Sequence, residues 1–290
     1  MSRNDRAPFD VLRRRRPLPM CIGQREFVWG ERTYVMGVVN VSPDSFSGDG
    51  IADPDEALAY GKRLISEGAD LLDVGGQSTR PGFEEVPVDE EIRRVVPVIE
   101  KLVRETDTPV SVDTYKPEVA AAALEAGAHL VNDVHGFRLY PEVARIVAEA
   151  GVAAVVMHNQ RGRPFRDVIA DVRAGLEESF RVAREAGIRR ERLIIDPGFG
   201  FGWTEAQNLE LLRRLGELRV YGRPVLIGTS RKSTIGAVLG GRPPGERLFG
   251  TAASCALAIA GGADILRVHD VRAMAEVARV ADAVVRGWGR

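Results

Sequence analysis

The sequence is short of cysteine, aromatic side chains, net charge and long apolar runs, and each shortage excludes something. Only Cys21 and Cys255 occur, far apart and in no metal-ligand spacing, so neither a disulfide framework nor a cysteine zinc site is expected. Aromatic residues make up 6% of the chain, which speaks against the aromatic sugar platform that usually accompanies a glycosidase's carboxylate pair. A formal charge of -1 over 290 residues gives no basic field, so nucleic acid is not a favoured partner. No apolar run approaches the roughly 20 residues needed to span a bilayer. Arg13 to Arg16 are followed by Pro17 and Pro19 where a signal peptide would need an apolar stretch. The expected compartment is the cytoplasm, with no membrane partner. Residues 1 to about 19 read as a solvated basic tail and residues 20–290 as one domain.

What the chain does have is rhythm. Eight short apolar runs recur: "YVMGVVNV", "DLLDVGG", "PVSVDT", "HLVNDVHG", "AAVVMHN", "LIIDPGFG", "PVLIGTS" and "ILRVHDV". They are rich in Val and Ile and mostly continuous rather than alternating, the pattern of strands buried on both faces of a parallel sheet. Between them lie helical stretches such as "PEVAAAALEAGA", several ending in Gly where a C-cap belongs: "SEGAD", "EAGAH", "EAGVA", "REAGI" and "AGGAD". Eight strand–helix units in about 255 residues predict a single (β/α)8 barrel. A doubly wound open sheet is the alternative, but it would not require eight units. Ahead of the first strand, "MCIGQREFVWGERTY" alternates around a Gly turn and predicts a hairpin closing the barrel's bottom.

In such a barrel function sits at the C-terminal ends of the strands. Those ends supply Asn40, Asp73, Asp113, Asn132, Asp133, His158, Asp196, Ser230, Arg231, Lys232, Arg267, His269 and Asp270. Packing alone needs no such crown, because buried charges require partners or a task. A two-zinc barrel hydrolase would usually carry a His-x-His pair on its first strand, and this one does not; His129, His135, His158 and His269 are scattered. "GFGFG" at 198–202 lacks the spacing and position of a dinucleotide loop, and "GTSRKST" lacks the glycine spacing of a P-loop. The acceptors Asp113, Asn132 and Asp196 would suit a flat, nitrogen-rich heterocycle, since a carboxylate takes two N–H bonds from an amidine-like edge. Arg267 could stack on such a ring. A hard divalent cation with phosphate oxygens would suit Asn40 and the polar first loop.

"GVVNVSPDSFS", "DVGGQSTRPG", "SVDTYKPEVA", "VNDV", "MHN", "DPGFGFG", "SRKS" and "RVHDV" occur in an order that resembles the dihydropteroate synthases, over roughly residues 34 to 285. The resemblance implies a Mg2+-dependent transferase of folate biosynthesis that joins 6-hydroxymethyl-7,8-dihydropterin diphosphate to p-aminobenzoate by dissociative substitution. It implies a pterin site of Asp113, Asn132, Val134, Met157, Asp196, Phe201, Lys232 and Arg267. Of these, Asp113, Asp196, Lys232 and Arg267 would act in catalysis. Asn40, Arg267 and His269 would take the diphosphate, with Asn40 also at the metal. Phe46, Thr79, Arg80, Pro81, Phe201, Lys232 and Ser233 would shape the p-aminobenzoate site. Family members are commonly homodimers and sulfonamide targets.

Five positions depart from the common family pattern: Gly48 and Asp49 in the first loop, Gln77 where Glu is usual, His135 and Trp203. They bear on loop closure and p-aminobenzoate geometry more than on the pterin. Two other readings keep the pterin site: a methyltetrahydrofolate methyltransferase-type barrel, and a paralogue that binds without turnover. The retained "STRPG" and "SRKS" segments speak against the first, and the retained Asn40, Asp113, Asn132, Asp196, Lys232, Arg267 and His269 against the second.

Overall fold

The structure, a computed structural model, describes residues 16–42, 50–78 and 85–288. The predicted hairpin is present: β1 (Met20–Ile22) pairs antiparallel with β2 (Arg25–Phe27), with Gly23 at φ 58° in the turn. Each of the eight apolar runs then yields a strand. They are β3 (Tyr34–Asn40), β4 (Leu71–Gly75), β5 (Val110–Asp113), β6 (Leu130–Asp133), β7 (Ala153–Met157), β8 (Leu193–Asp196), β9 (Leu226–Ile227) and β10 (Ile265–Val268). All are parallel and run in the order β8-β7-β6-β5-β4-β3-β10-β9. A bridge between Ile195 and Val225 joins the two edge strands, so the sheet closes on itself. This is the expected (β/α)8 barrel.

The helices form the outer ring: α1 (Pro54–Ser66), α2 (Val88–Glu105), α3 (Pro117–Glu125), α4 (Glu142–Ala150), α5 (Val168–Glu185), α6 (Glu205–Arg213), α7 (Ser233–Val238), α8 (Leu248–Ala260) and α9 (Val271–Arg286). Their ends follow local chemistry. Asp53 caps α1 by accepting from the N–H groups of Asp55 (2.8 Å) and Glu56 (3.0 Å), and Pro54 fills the first helical position. Gly151 ends α4 at φ 65° with open space around it, so the backbone angle and not crowding demands glycine there.

Among the described residues the two larger apolar bodies are an outer layer and a barrel interior. The outward residues of the strands, such as Leu72, Val112, Val131 and Ile195, pack on helix residues such as Leu64, Val98, Val147 and Leu176. Inside the barrel, Met36, Leu71, Leu130, Val155, Ile194, Leu226 and Ile265 meet Met20, Ile22, Phe27 and Trp29 of the hairpin and its connection. The rings of Phe27, Trp29 and Tyr34 lie 4.7–5.5 Å apart in this plug. Each large side chain buried here contributes about 1.5–3 kcal/mol.

The strand period of two then places the site. Two residues beyond Leu71 on the same face is Asp73, beyond Leu130 is Asn132, beyond Ile194 is Asp196, and beyond Ile265 is Arg267. The interior is therefore apolar at its hairpin end and polar at the opposite mouth.

Candidate active site

Arg267 organises the mouth. Its Nε donates to Asp73 Oδ2 at 2.6 Å and its Nη2 to Asp113 Oδ2 at 2.6 Å. Asn132 Nδ2 donates to the same Asp73 oxygen at 3.0 Å. Asp73 Oδ1 and Asp113 Oδ1 are buried with no hydrogen-bond partner among the described residues. Burial lifts the Asp113 carboxyl to about 7 against the pull of Arg267, and Asp73 adds to the rise. Burial alone would loosen the proton of Arg267, but Asp73 and Asp113 outweigh it and hold the guanidinium firmly charged.

Across the mouth, Asp196 ends β8 and accepts the Gly198 N–H at 2.7 Å. Burial raises its pKa, and Lys232 opposes the rise. Burial lowers the Lys232 ammonium to about 8, with Asp196 pulling the other way. Lys232 Nζ donates to the Phe199 carbonyl and lies 4.5 Å from the Phe201 ring centroid. Gly200 makes room for it: a Cβ there would stand 2.8 Å from Lys232 Cδ, and φ is 82°. The "GFGFG" run thus serves close packing beside a lysine. Phe201 packs on Tyr115, Val134 and Met157, which form an apolar wall at the mouth.

The residues expected for a pterin site are therefore brought together: Asp113, Asn132, Val134, Met157, Asp196, Phe201, Lys232 and Arg267. Ser230 Oγ and His269 Nδ1 are 2.9 Å apart at the neighbouring strand ends, and Ser230 Oγ also accepts the His269 N–H at 3.2 Å. Asn40 ends β3 half-buried, its carbonyl accepting the Ile51 N–H at 2.9 Å. Ser233 is the exposed first residue of α7. Phe46, Thr79, Arg80 and Pro81 lie outside the described residues, as do Gly48 and Asp49 and the basic run up to Arg15.

Three features escaped sequence reading. Asp73 stood among the strand-end acids without a role, although its place two residues past Leu71 on the inward face would have found it. Gln77, flagged as a departure, is a tie across the ends of the second loop. Its Oε1 accepts from the Val86 N–H (2.8 Å) and Lys116 Nζ (2.9 Å), and its Nε2 donates to the Tyr115 hydroxyl (2.9 Å). Lys116 is itself buried against Glu91 at 2.8 Å, so a neutral amide at 77 adds no second buried anion. The third is Arg161, whose guanidinium lies 4.9 Å from the Phe201 centroid. Of the other departures, His135 packs edge-on against Tyr115 at 5.0 Å, and Trp203 packs against His158 at 5.6 Å.

Chemically, the mouth presents three carboxylates (Asp73, Asp113 and Asp196), a carboxamide and a lysine around an apolar-walled opening, with Arg267 paired to Asp73 and Asp113. It can hold a flat heterocycle by its donor edge and favour positive charge developing beside Asp113 and Asp196.

Comparison with known proteins agrees. The family model described as pterin binding enzyme matches residues 36–269. The dihydropteroate synthase of Synechocystis sp. is 46% identical over 279 residues, covering 93% of this chain and 96% of that protein. Among solved structures, the dihydropteroate synthase of Xanthomonas albilineans with 4-aminobenzoic acid is 47% identical, covering 92% of this chain and 97% of that one, with a TM-score of 0.85. The Yersinia pestis dihydropteroate synthase, in a sulfonamide drug complex, is 38% identical, covering 93% and 100%, with a TM-score of 0.89.

Proposed function

The chain belongs to the pterin binding enzyme family, and from the dihydropteroate synthases it matches across 92–93% of its length we infer its reaction. It is a dihydropteroate synthase: a transferase that joins 6-hydroxymethyl-7,8-dihydropterin diphosphate to p-aminobenzoate, yielding 7,8-dihydropteroate and pyrophosphate for folate biosynthesis. The observation that carries this is the pairing of Asp113 on Arg267 with Asp196 beside Lys232, facing one apolar-walled mouth. Sulfonamides are expected to occupy that mouth.

In the reaction as we read it, Asp113, Asn132 and Asp196 accept N–H bonds from the pterin edge, and Met157 and Val134 confine its faces. The C–O bond to the diphosphate breaks with its electron pair leaving on oxygen. The carbocation so formed is delocalised into the ring nitrogens and favoured by the two carboxylates. The arylamine nitrogen then forms the C–N bond and loses a proton. Arg267 and His269 face the leaving diphosphate. Val134, Met157 and Phe201 limit water, which would otherwise trap the cation.

Among the described residues no three His, Cys, Asp or Glu side chains gather into a metal cage. Mg2+ keeps several waters and binds largely through substrate phosphates, so it needs no all-protein cage. Asn40 at the end of β3 would supply a protein oxygen, and the ion would neutralise charge on the departing diphosphate.

The test is pyrophosphate release from the dihydropterin diphosphate with Mg2+, with and without p-aminobenzoate. Release that depends on the arylamine and yields dihydropteroate is the expected result; pterin binding without product would leave a binding protein, not a synthase.

We also propose a homodimer through the α8 and α9 faces. α8 carries no charged residue, and Phe249 (86% exposed), Leu257 (61%) and, on α9, Val280 (67%) and Val284 (65%) stand outward. Exposed apolar residues in such number mark a partner surface. Phe249→Glu should shift sedimentation from dimer to monomer at micromolar protein. A wild-type monomer at that concentration would end the proposal. Among the described residues no helix is long and apolar enough to cross a membrane; cytoplasmic folate synthesis is the setting we assign.

A further inference from the structure

The acceptor substrate is an anion, and Arg161, a cation lying near Phe201 and Lys232, is not among the residues the family resemblance assigns to its site. Arg161 lies on the loop between β7 and α5, and that loop is anchored by its backbone. The Gln160 N–H donates to the Phe201 carbonyl at 3.0 Å, and the Arg161 N–H to Asn159 Oδ1 at 3.1 Å. Arg163, two residues on, pairs with Glu178 of α5 at 2.7 Å. Gly202 sits so close beneath that a Cβ would fall 2.4 Å from Arg161 N, so the Arg161 loop and the loop carrying Phe201 are packed backbone to backbone.

From this base the Arg161 guanidinium reaches the Phe201 ring at 4.9 Å, while Lys232 Nζ approaches the same ring at 4.5 Å. One aromatic side chain of the mouth thus gathers two cations, each attracted by the ring quadrupole. The carboxylate of p-aminobenzoate is para to its amine. In a pose with the amine turned toward the reacting carbon, the para carboxylate would lie at the far end of the ring. Arg161 is half-buried beside Phe201.

Resting on the synthase reading, we propose that Arg161 is a specificity-determining residue for the acceptor: its guanidinium, held over Phe201 beside Lys232, attracts the carboxylate of an anionic arylamine. The class of acceptor selected is an aryl amine carrying a para negative charge, over neutral arylamines of the same shape.

The experiment compares p-aminobenzoate with the neutral 4-aminobenzamide in wild type, Arg161→Gln and Arg161→Lys. In Arg161→Gln the KM for the acid should rise about five- to tenfold, the size expected of one partly screened charge contact. Its kcat should stay within about twofold, the KM for the amide should not move, and Arg161→Lys should restore most of the acid's affinity. If the KM values of acid and amide rise together, Arg161 merely supports Phe201 and the proposal is overturned; it is overturned equally if neither moves. A wild-type enzyme that turns over neither acceptor would overturn the synthase reading beneath it.

Discussion

Asp196→Ala will lose dihydropterin binding by at least about a hundredfold while the protein stays folded. The carboxylate stands buried at the end of β8 with one oxygen already receiving the Gly198 N–H. A pterin edge would add charge-assisted bonds, each worth about 1.5–3 kcal/mol. Two such bonds account for the expected loss, and the rate should fall further because the same charge favours the developing cation. Folding should be little affected: the raised pKa of Asp196 means that keeping it ionised in the barrel opposes stability. Asp196→Asn, which keeps an acceptor for Gly198, should fall between wild type and alanine. Calorimetric titration with the pterin decides the matter, and unchanged affinity in the alanine variant would remove Asp196 from the site.

The second large effect is on stability. Arg267→Met should cost about 3–5 kcal/mol near neutral pH, because it leaves Asp73 and Asp113 buried without their cation. The pH dependence has a definite sign. The Asp113 carboxyl titrates near 7 in the folded protein against 3.8 as its ordinary value, so between those limits the native state binds more protons than the unfolded chain. Stability therefore falls as pH rises through that window, already in the wild type. Without Arg267 the carboxyl is harder still to ionise, so the fall continues to higher pH. The melting temperature of the variant should trail wild type most at pH 8 and least at pH 5. A deficit equal at both pH values would mean that Arg267 is not the counter-ion of this pair.

The barrel was legible because parallel strands buried on both faces leave continuous β-branched runs, and each of the eight runs became a strand. Their lengths were less legible. "PVLIGTS" promised a strand like the others, yet β9 is confined to Leu226–Ile227. Pro224 has no N–H to donate, although its carbonyl still accepts from Ile195 at 2.9 Å. In the site, residue types at strand ends were readable but their pairings were not. Arg267 lies 194 residues from Asp73 and 154 from Asp113, and only barrel closure makes them neighbours. Gln77 shows the limit from the other side. A single-residue departure read in the sequence as bearing on loop closure is, in the fold, a three-bond tie whose partners Tyr115, Lys116 and Val86 no local pattern announces.

The hairpin plug turns the barrel into a blind well. Nothing can pass through its floor of Phe27, Trp29 and Met36, so both substrates enter and both products depart by one opening. In such single-file traffic the component proposed to sit deepest, the pterin on Asp113 and Asn132, would have to arrive before the arylamine covers it. The joined product can leave only after the diphosphate ceases to share the doorway. Initial-rate studies should then show an ordered sequence led by the pterin, and a random order would mean that the entrance is wide enough for the substrates to pass one another.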